Sequence, residues 1–300
     1  WSAGDDVSHD EVIADMAYSI PSELKVLDMN RDGYVDQMYV GDMGGQIWRF
    51  DVDNEQAQVQ HLVDITKIAE LADNTASGNR RFYYPPDLAL AVEGKYRYLS
   101  LGIGSGYRAH PKNLDIEDRF YMIKLFDVYE KPSSFTTITE SDLYDATANL
   151  LQQGTDSQKN DAEIALSNNH VNRKEGWMIR LTNAGEKVLA GSATIQNQII
   201  FTTYEPAPDD PSNCNPAQGT SRAYLVSLFN ATPMLDIDED GTVDAADRVI
   251  QLAIGSIPST PTVIDTLESK PTVWVGPERL DQVDTDVESI RTYWIEVVNP

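Results

Sequence analysis

The stretch Gly45-Gln46-Ile47-Trp48-Arg49-Phe50-Asp51-Val52 carries the pattern that decides the fold. A glycine turn leads into an aromatic residue, after which apolar and polar side chains alternate. This alternation of period two, with aromatic and β-branched residues, is typical of a half-buried strand. Similar segments recur along the chain, at residues 119–127, 176–181, 222–228, 272–276 and 291–298. The sequence therefore predicts a mainly β protein with many short strands.

The number of these segments favours a β-propeller. Blades of about 40–50 residues would fit six or seven times into this length, although the irregular spacing requires insertions. The clearest insertion is 139–174, in which residues 140–151 have helical spacing, Thr139 is suited to be the N-cap, and 160–166 suit a second helix. We predict one all-β domain over residues 1–300, a modified β-propeller of six or seven blades with helical insertions.

Two acidic stretches share a second pattern: Asp28-Met29-Asn30-Arg31-Asp32-Gly33-Tyr34-Val35-Asp36 and Asp236-Ile237-Asp238-Glu239-Asp240-Gly241-Thr242-Val243-Asp244. Side chains that carry oxygen occupy positions one, three and five, and glycine occupies position six, where the chain must turn sharply. This spacing wraps a peptide around one hard cation, with the carbonyl at position seven as a further ligand. Zinc would want His or Cys, and magnesium would use fewer protein ligands. The pattern therefore predicts two Ca²⁺ ions.

The two loops differ in how the ligand set is completed. For the first loop we predict Asp28, Asn30, Asp32, the carbonyl of Tyr34, and Asp36. For the second loop we predict Asp236, Asp238, Asp240, the carbonyl of Thr242, and either Asp244 at position nine or Asp247 at position twelve. The first loop has Tyr39 at position twelve, so it is not an ordinary EF-hand. If Asp247 closes the second loop, the segment from Ala245 onwards should be helical, as in a dockerin repeat, although dockerin repeats lie close together.

Composition narrows the classes of partner. The formal net charge of −25 argues against binding to nucleic acid or to an anionic membrane. No run of about 18 apolar residues is present, so we expect no transmembrane helix. The chain begins at Trp1, which indicates a mature product or an excised piece of a longer protein. Cys214, the single cysteine, lies in the segment 206–219, which is rich in Pro, Asn and Asp and is predicted to be an exposed loop.

Several motifs together resemble the C-terminal domain of the PilY/PilC family, the tip-associated proteins of bacterial type IV pili. The first loop runs directly into Tyr39-Val40-Gly41-Asp42-Met43-Gly44-Gly45-Gln46-Ile47-Trp48. The chain continues with Arg81-Phe82-Tyr83-Tyr84-Pro85-Pro86-Asp87 and Gly104-Ser105-Gly106-Tyr107-Arg108-Ala109-His110-Pro111, and it ends with Arg291-Thr292-Tyr293-Trp294 near the C-terminus. Each motif alone is weakly specific, but the order in which they occur is specific.

The resemblance implies a modified β-propeller that follows a longer N-terminal region in the intact protein. It implies a non-enzymatic role in pilus biogenesis, in the control of extension against retraction, in twitching motility and in adhesion, with calcium tied to that control. The implied partners are pilus components, such as minor pilins or the pilus tip, and host or abiotic surfaces. The implied location is the pilus tip or the outer membrane of a Gram-negative bacterium, reached through the periplasm. The Arg-Gly-Asp motif of some members is absent, because residues 31–33 read Arg-Asp-Gly.

Other functions remain open at this level. One alternative is a quinoprotein dehydrogenase, because these enzymes have similar propeller blades. They share a pair of adjacent cysteines near the quinone, however, and a single cysteine, Cys214, cannot form such a pair. A purely structural domain, in which calcium only holds loops together, has the same ligands as a switch. His110 with Arg108 could form an anion or partner site or could simply stabilise its own loop. The segment 83–86 could be a binding patch or a strand that runs into a turn.

Overall fold

The computed structural model describes residues 13–55, 62–73, 75–128, 134–208, 218–266 and 269–281. Most of the regular structure in these ranges is β-strand, and the strands form four sheets. The predicted strand at 291–298, Cys214 and most of the predicted loop 206–219 lie outside the described residues.

The first sheet comes from the N-terminal part of the chain and includes one short strand from the insertion. In spatial order its strands are β1 (Lys25–Leu27), β2 (Gln37–Gly41), β3 (Gln46–Val52), β4 (Val63–Glu70) and β8 (Ile138–Thr139). Strands β1 to β4 pair antiparallel with their neighbours, whereas β8 pairs parallel with β4.

The second sheet is also five-stranded. In spatial order its strands are β5 (Asp87–Glu93), β6 (Tyr96–Gly104), β7 (Arg119–Leu125), β10 (Gly176–Arg180) and β9 (Tyr144–Asp145). Strand β9, like β8, comes from the insertion and pairs parallel with its neighbour. The insertion therefore contributes an edge strand to each of the first two sheets.

The remaining strands form the third and fourth sheets. The third sheet has the order β11 (Lys187–Val188), β13 (Gln198–Glu205), β14 (Thr220–Ser227) and β15 (Val249–Gln251), and β12 (Ala193–Ile195) also pairs with β13. The fourth sheet consists of β16 (Thr262–Thr266), β17 (Ser269–Val275) and β18 (Glu278–Leu280). The predicted strand segments at 45–52, 119–127, 176–181, 222–228 and 272–276 all coincide with observed strands.

The sheets stack in chain order, and three hydrophobic cores fill the spaces between them. Strand β7 contributes to two of these cores. Its residues Tyr121 and Ile123 enter the core shared with the first sheet. Its alternate residues Phe120 and Met122 enter the core shared with the third sheet. A third core lies between the third and fourth sheets, where Ile200 meets residues of β17. Alternation along one strand therefore serves two cores, since successive side chains point to opposite faces.

A column of aromatic rings joins the second and third sheets. The rings of Phe120 and Phe201 stack with centroids 3.9 Å apart, and those of Phe201 and Tyr224 stack at 4.6 Å. Trp177 contacts Phe120 from the side at 6.1 Å and donates its indole N–H to the carbonyl of Leu228 at 2.8 Å. Phe201 lies at the centre of the column and is fully buried.

The predicted propeller of six or seven blades is wrong for the described residues. They form four separate open sheets, and none of their core clusters joins the fourth sheet back to the first. The blade count came from dividing the length of the chain by about 40–50 residues per blade and allowing for insertions. Residues 139–174 lie between β7 and β10, which are neighbours in one sheet, and they add a 3₁₀ turn, two helices and only short edge strands.

The predicted insertion has less helix than expected. Residues 140–151 contain a 3₁₀ turn (Glu140–Asp142), strand β9, and the start of the short helix α1 (Leu150–Gln153). Backbone pairing of β9 with β10 overrides the local helical spacing. The second predicted helix is confirmed as α2 (Asp156–Leu166), which starts four residues earlier than predicted, after the N-cap Thr155.

We expect Phe201→Ala to lower the free energy of unfolding by about 3–5 kcal/mol, because it empties the centre of the aromatic column. Chemical denaturation followed by tryptophan fluorescence measures this change. Val171→Ala, at a residue that is 92% exposed, is the control and should leave the stability unchanged. A loss below about 1 kcal/mol for the Phe201 variant would show that the column does not hold the two sheets together.

Candidate metal centre

Each of the two acidic loops connects an edge strand to its neighbour. The first loop (residues 28–36) closes the hairpin between β1 and β2. The second loop (residues 236–247) lies in the connection between β14 and β15. Both loops therefore lie at the edge of a sheet.

The backbone follows the same path through both loops. At position four, Arg31 has φ of 64° and Glu239 has φ of 60°. At position six, Gly33 and Gly241 both have φ of 91°. These left-handed conformations are rare except in glycine, so the turn predicted at position six is confirmed and a second one precedes it.

The aspartate at position one organises each turn. Asp28 Oδ2 accepts from the N–H of Gly33 at 2.9 Å, and Asp236 Oδ2 accepts from the N–H of Gly241 at 2.8 Å. The other oxygen, Oδ1, accepts from the N–H at position five at 3.2 Å in both loops. Both carboxylates therefore point into the concave side of their loop.

Positions three and five complete the same inward-facing set. In the first loop Asn30 Oδ1 accepts from the N–H of Asp32 at 2.9 Å, and Asp32 Oδ1 accepts from the N–H of Tyr34 at 2.8 Å. In the second loop Asp238 Oδ1 and Asp240 Oδ1 accept from the equivalent N–H groups at 3.2 and 2.8 Å. The predicted side chains at positions one, three and five therefore meet in both loops.

The second loop passes a direct test of fit for a cation. One carboxylate oxygen from each of Asp236, Asp238 and Asp240 lies within 4.8 Å of the others. Calcium–oxygen distances are about 2.3–2.6 Å, so oxygens on opposite sides of one ion lie about 4.6–5.2 Å apart. The three oxygens are therefore close enough to share a single ion, and oxygen donors are the ones that calcium prefers.

The residue that closes the loop differs in sequence position but makes the same contacts. Asp36 Oδ2, at position nine of the first loop, accepts from the N–H groups of Met29 and Asn30 at 2.6 and 3.2 Å. In the second loop Asp247 Oδ1, at position twelve, accepts from the equivalent N–H groups of Ile237 and Asp238 at 2.6 and 3.3 Å. Asp247 is therefore the counterpart of Asp36.

Asp244 forms different hydrogen bonds from those of Asp36 and Asp247. Its side chain accepts from the N–H of Ala246 at 2.8 Å, and its own N–H donates to Asp247 Oδ2 at 2.7 Å. It thus leads into a 3₁₀ turn at Ala246–Arg248. The helix expected to follow Ala245 is limited to that turn, because residues Val249–Gln251 pair with β14 as strand β15.

Residues at position two anchor the loops to the protein. Met29 packs against the core between the first and second sheets, and Ile237 packs against the core between the third and fourth sheets. The spacing of Asp, Asn and Gly does not by itself predict this role for position two. An apolar residue there is the signal that could have identified it.

Arg248 ties the second loop to the insertion. Its guanidinium is buried and donates to the carbonyls of Ala146 and Thr147 at 2.9 and 3.1 Å and to Asn149 Oδ1 at 3.0 Å. Burial lowers the pKa of Arg248 to about 10. Asn149, with φ of 50°, is the residue immediately before α1. No local pattern indicates that the residue after the closing aspartate is a buried anchor.

Electrostatics distinguish the closing carboxylate from an inner one. Burial alone would raise the pKa of Asp247, but backbone N–H donors from Asp244, Ile237 and Asp238 outweigh it and hold that pKa below its usual value. For Asp238, the hydrogen bond from the Asp240 N–H lowers the pKa. Desolvation and the nearby charges of Asp240, Asp247 and Asp236 more than offset this and raise it. The carboxylates of the second loop therefore repel one another.

In the part of the chain that the structure describes, no helix is long and apolar enough to cross a membrane. No protein-family model matches the sequence, and no curated protein sequence matches it. Among solved structures, the chain is similar to the C-terminal domain of PilY1 from Pseudomonas aeruginosa, with a TM-score of 0.61 and 16% sequence identity. The match covers 87% of this chain and 60% of that one. At the level of the fold, the resemblance predicted from the sequence motifs is confirmed.

Proposed function

We propose that this chain is a calcium-binding domain of a type IV pilus protein that controls pilus extension against retraction, twitching motility and surface attachment. The observation that carries the proposal is the presence of two loops with matching hydrogen bonds on a fold similar to the PilY1 C-terminal domain. The domain acts by binding and not by catalysis. Its partners are pilus components and the surface to which the cell attaches, and its place is outside the cell.

The donor sets suit calcium in both charge and chemistry. The first loop brings three carboxylates and one amide together, and the second brings four carboxylates, counting Asp247 in place of Asp244. A bound Ca²⁺ would supply two positive charges that offset the repulsion between these groups. Asp28, Asn30, Asp32, Asp36 and the Tyr34 carbonyl would hold one ion. Asp236, Asp238, Asp240, Asp247 and the Thr242 carbonyl would hold the other.

Control by calcium requires two states of the domain with different affinities for the ion. Without the ion, repulsion between carboxylates favours open forms of the loops. With it, the ordered loops fix the β1–β2 hairpin and, through Arg248, the start of the helical insertion. We propose that the ordered state engages the pilus. Extracellular calcium modules often bind at about 10⁻⁴–10⁻³ M, a range in which ambient calcium can set the occupancy.

We expect Asp32→Ala to reduce calcium binding from two ions to one in isothermal titration calorimetry. Removal of a direct ligand should weaken the first site by at least about tenfold, since even residues behind the ligands contribute 10–100-fold in metal sites. The circular dichroism spectrum should not change, because Asp32 is exposed at the tip of a hairpin. Asp161→Ala, which removes an exposed carboxylate from α2, is the matched control and should bind two ions. Unchanged binding by the Asp32 variant would refute the first site.

The second site allows a sharper comparison of neighbouring aspartates. Asp247→Ala should weaken the second site by at least about tenfold, because Asp247 occupies the place of Asp36. Asp244→Ala should have a smaller effect, since its side chain caps the following turn. Calorimetry in an Asp32→Ala background isolates this site. The reverse order of effects would show that Asp244 is the ligand, and two variants that bind like the parent would exclude the site.

In cells, we expect Asp32→Ala and Asp240→Ala in the full-length protein to change surface piliation or twitching motility while the protein's abundance stays the same. Immunoblots measure abundance, and agar-stab assays and electron microscopy measure motility and pili. Asp161→Ala is again the control. If both loop variants bind less calcium in vitro but leave piliation, motility and attachment unchanged, calcium only holds the loops together and the control function is wrong.

A further inference from the structure

Six residues from two loops form a surface patch, which we call the tyrosine–arginine patch: Arg81, Tyr83, Tyr84, Tyr107, Arg108 and His110. The first loop precedes β5 and the second follows β6. Because β5 and β6 are antiparallel, with Asp87 opposite Gly102, both loops emerge at the same end of the second sheet. The patch belongs to neither of the acidic loops.

Three sheets hold the backbone of the patch in place. The N–H of Phe82 donates to the carbonyl of Asp42 from the first sheet at 3.0 Å, and the N–H of Gly106 donates to the carbonyl of Arg81 at 2.9 Å. The N–H of Val188 in the third sheet donates to the carbonyl of Ser105 at 3.0 Å. A side chain at Gly106 would collide with the Val188 carbonyl, since a Cβ there would lie 2.2 Å from its oxygen. The patch is therefore built on a rigid base.

The side chains are arranged as cations against rings. The Arg81 guanidinium lies 4.4 Å from the centroid of the Tyr107 ring, and Tyr107 contacts the His110 ring at 4.8 Å. Arg108 lies 5.8 Å from the Tyr84 ring and donates to the Tyr84 hydroxyl and to the Leu189 carbonyl. The ring centroids of Tyr83 and Tyr84 are 6.1 Å apart. Cation–π contacts hold both guanidinium groups beside tyrosine rings while Arg108 and His110 remain exposed.

The two arginines have hydrogen-bonding capacity left over. Among the described residues, neither Arg81 nor Arg108 forms an ion pair with a carboxylate, and Arg81 has no hydrogen-bond acceptor for its guanidinium. Asp118, which interacts electrostatically with Arg81, is buried and accepts from the Ser105 hydroxyl at 2.7 Å. The two guanidinium groups therefore keep N–H donors that an anion from outside the chain can accept from, on a protein whose net charge is −25.

We propose that the tyrosine–arginine patch docks a carboxylate-bearing segment of a partner protein, such as an acidic loop or an acidic chain end. A planar guanidinium presents paired N–H donors that match the two oxygens of a carboxylate. Tyrosine and arginine are enriched at the residues that dominate protein–protein binding energy, and rigid aromatic side chains lose little conformational entropy on binding. This composition favours a protein segment over an acidic glycan. The proposal goes beyond calcium-dependent control and does not require calcium.

The test uses fluorescence anisotropy of a fluorescein-labelled hexaglutamate peptide with the whole chain, at low ionic strength and in EDTA so that calcium cannot bridge carboxylates. Hexaglutamine is the uncharged comparison, and labelled oligogalacturonate is the glycan comparison. The variant Arg81→Gln/Arg108→Gln removes the two cations. Arg97→Gln/Arg279→Gln removes two exposed arginines elsewhere and keeps the same net charge as the first variant.

We expect saturable binding of hexaglutamate that weakens as salt rises, and no binding of hexaglutamine. The patch variant should bind roughly fivefold more weakly or worse, as for the loss of two exposed charge pairs, while the control variant binds like the parent. A benzoylphenylalanine-labelled hexaglutamate peptide should crosslink to residues 81–84 or 105–110, which locates the site without any variant. The proposal is overturned if hexaglutamate does not bind, if both variants bind equally, if the crosslinks lie elsewhere, or if only the oligogalacturonate binds.

Discussion

Burial of both faces of the second and third sheets is the constraint on which the rest of the structure depends. Strand β7 sends Tyr121 into one core and Phe120 into the next, and β13 divides Phe201 and Ile200 in the same way. The central stretches of their inner strands are almost wholly buried and leave little room for polar side chains that face water. Chemistry is therefore confined to the places where strands end or where a sheet has an edge. Both acidic loops and the tyrosine–arginine patch lie in such places.

The two acidic loops show that an equivalent contact need not occupy an equivalent position in the sequence. Asp36 and Asp247 each accept from the backbone N–H groups at positions two and three of their own loop, although they themselves occupy positions nine and twelve. The first loop has no spare residues, because β2 begins directly after Asp36. The second loop has room for a 3₁₀ turn before β15, so the closing carboxylate can come from further along the chain. The geometry of the turn, and not the count of residues, decides which aspartate closes the loop.

The sequence was a good guide wherever structure is determined locally. The alternation at 45–52 and 119–127 predicted β3 and β7, and the spacing of Asp, Asn and Gly predicted the paths of both acidic loops. It failed where distant pairing decides. Residues 144–145 lie in a segment with helical spacing, and 249–251 were expected to be helical if Asp247 closes the second loop. Both become strands, because β10 and β14 offer edges to them. The propeller prediction failed for a related reason, since a blade count from length cannot show which strands pair, and the described strands form four open sheets.

Part of the candidate site also lay beyond sequence reasoning. The pattern identified the inward-facing side chains at positions one, three and five, but it left Asp244 and Asp247 as alternatives, and only the backbone path separates them. Arginine is usually exposed, so the sequence would place Arg248 at the surface. Its burial against Ala146 depends on a segment about a hundred residues earlier in the chain. Such a contact leaves no local periodicity to detect.

The adjacency of Asp247 and Arg248 makes the two loops differ in how freely they can be exchanged between proteins. The first loop carries its closing carboxylate within nine residues of its start and needs only a hairpin on which to sit, so it is a portable unit. In the second loop the closing aspartate, Asp247, is followed directly by the buried Arg248. Moving this loop into another protein would separate Arg248 from the carbonyls to which it donates. Exchange of short segments between proteins can therefore spread the first kind of loop, whereas the second kind must evolve together with its insertion.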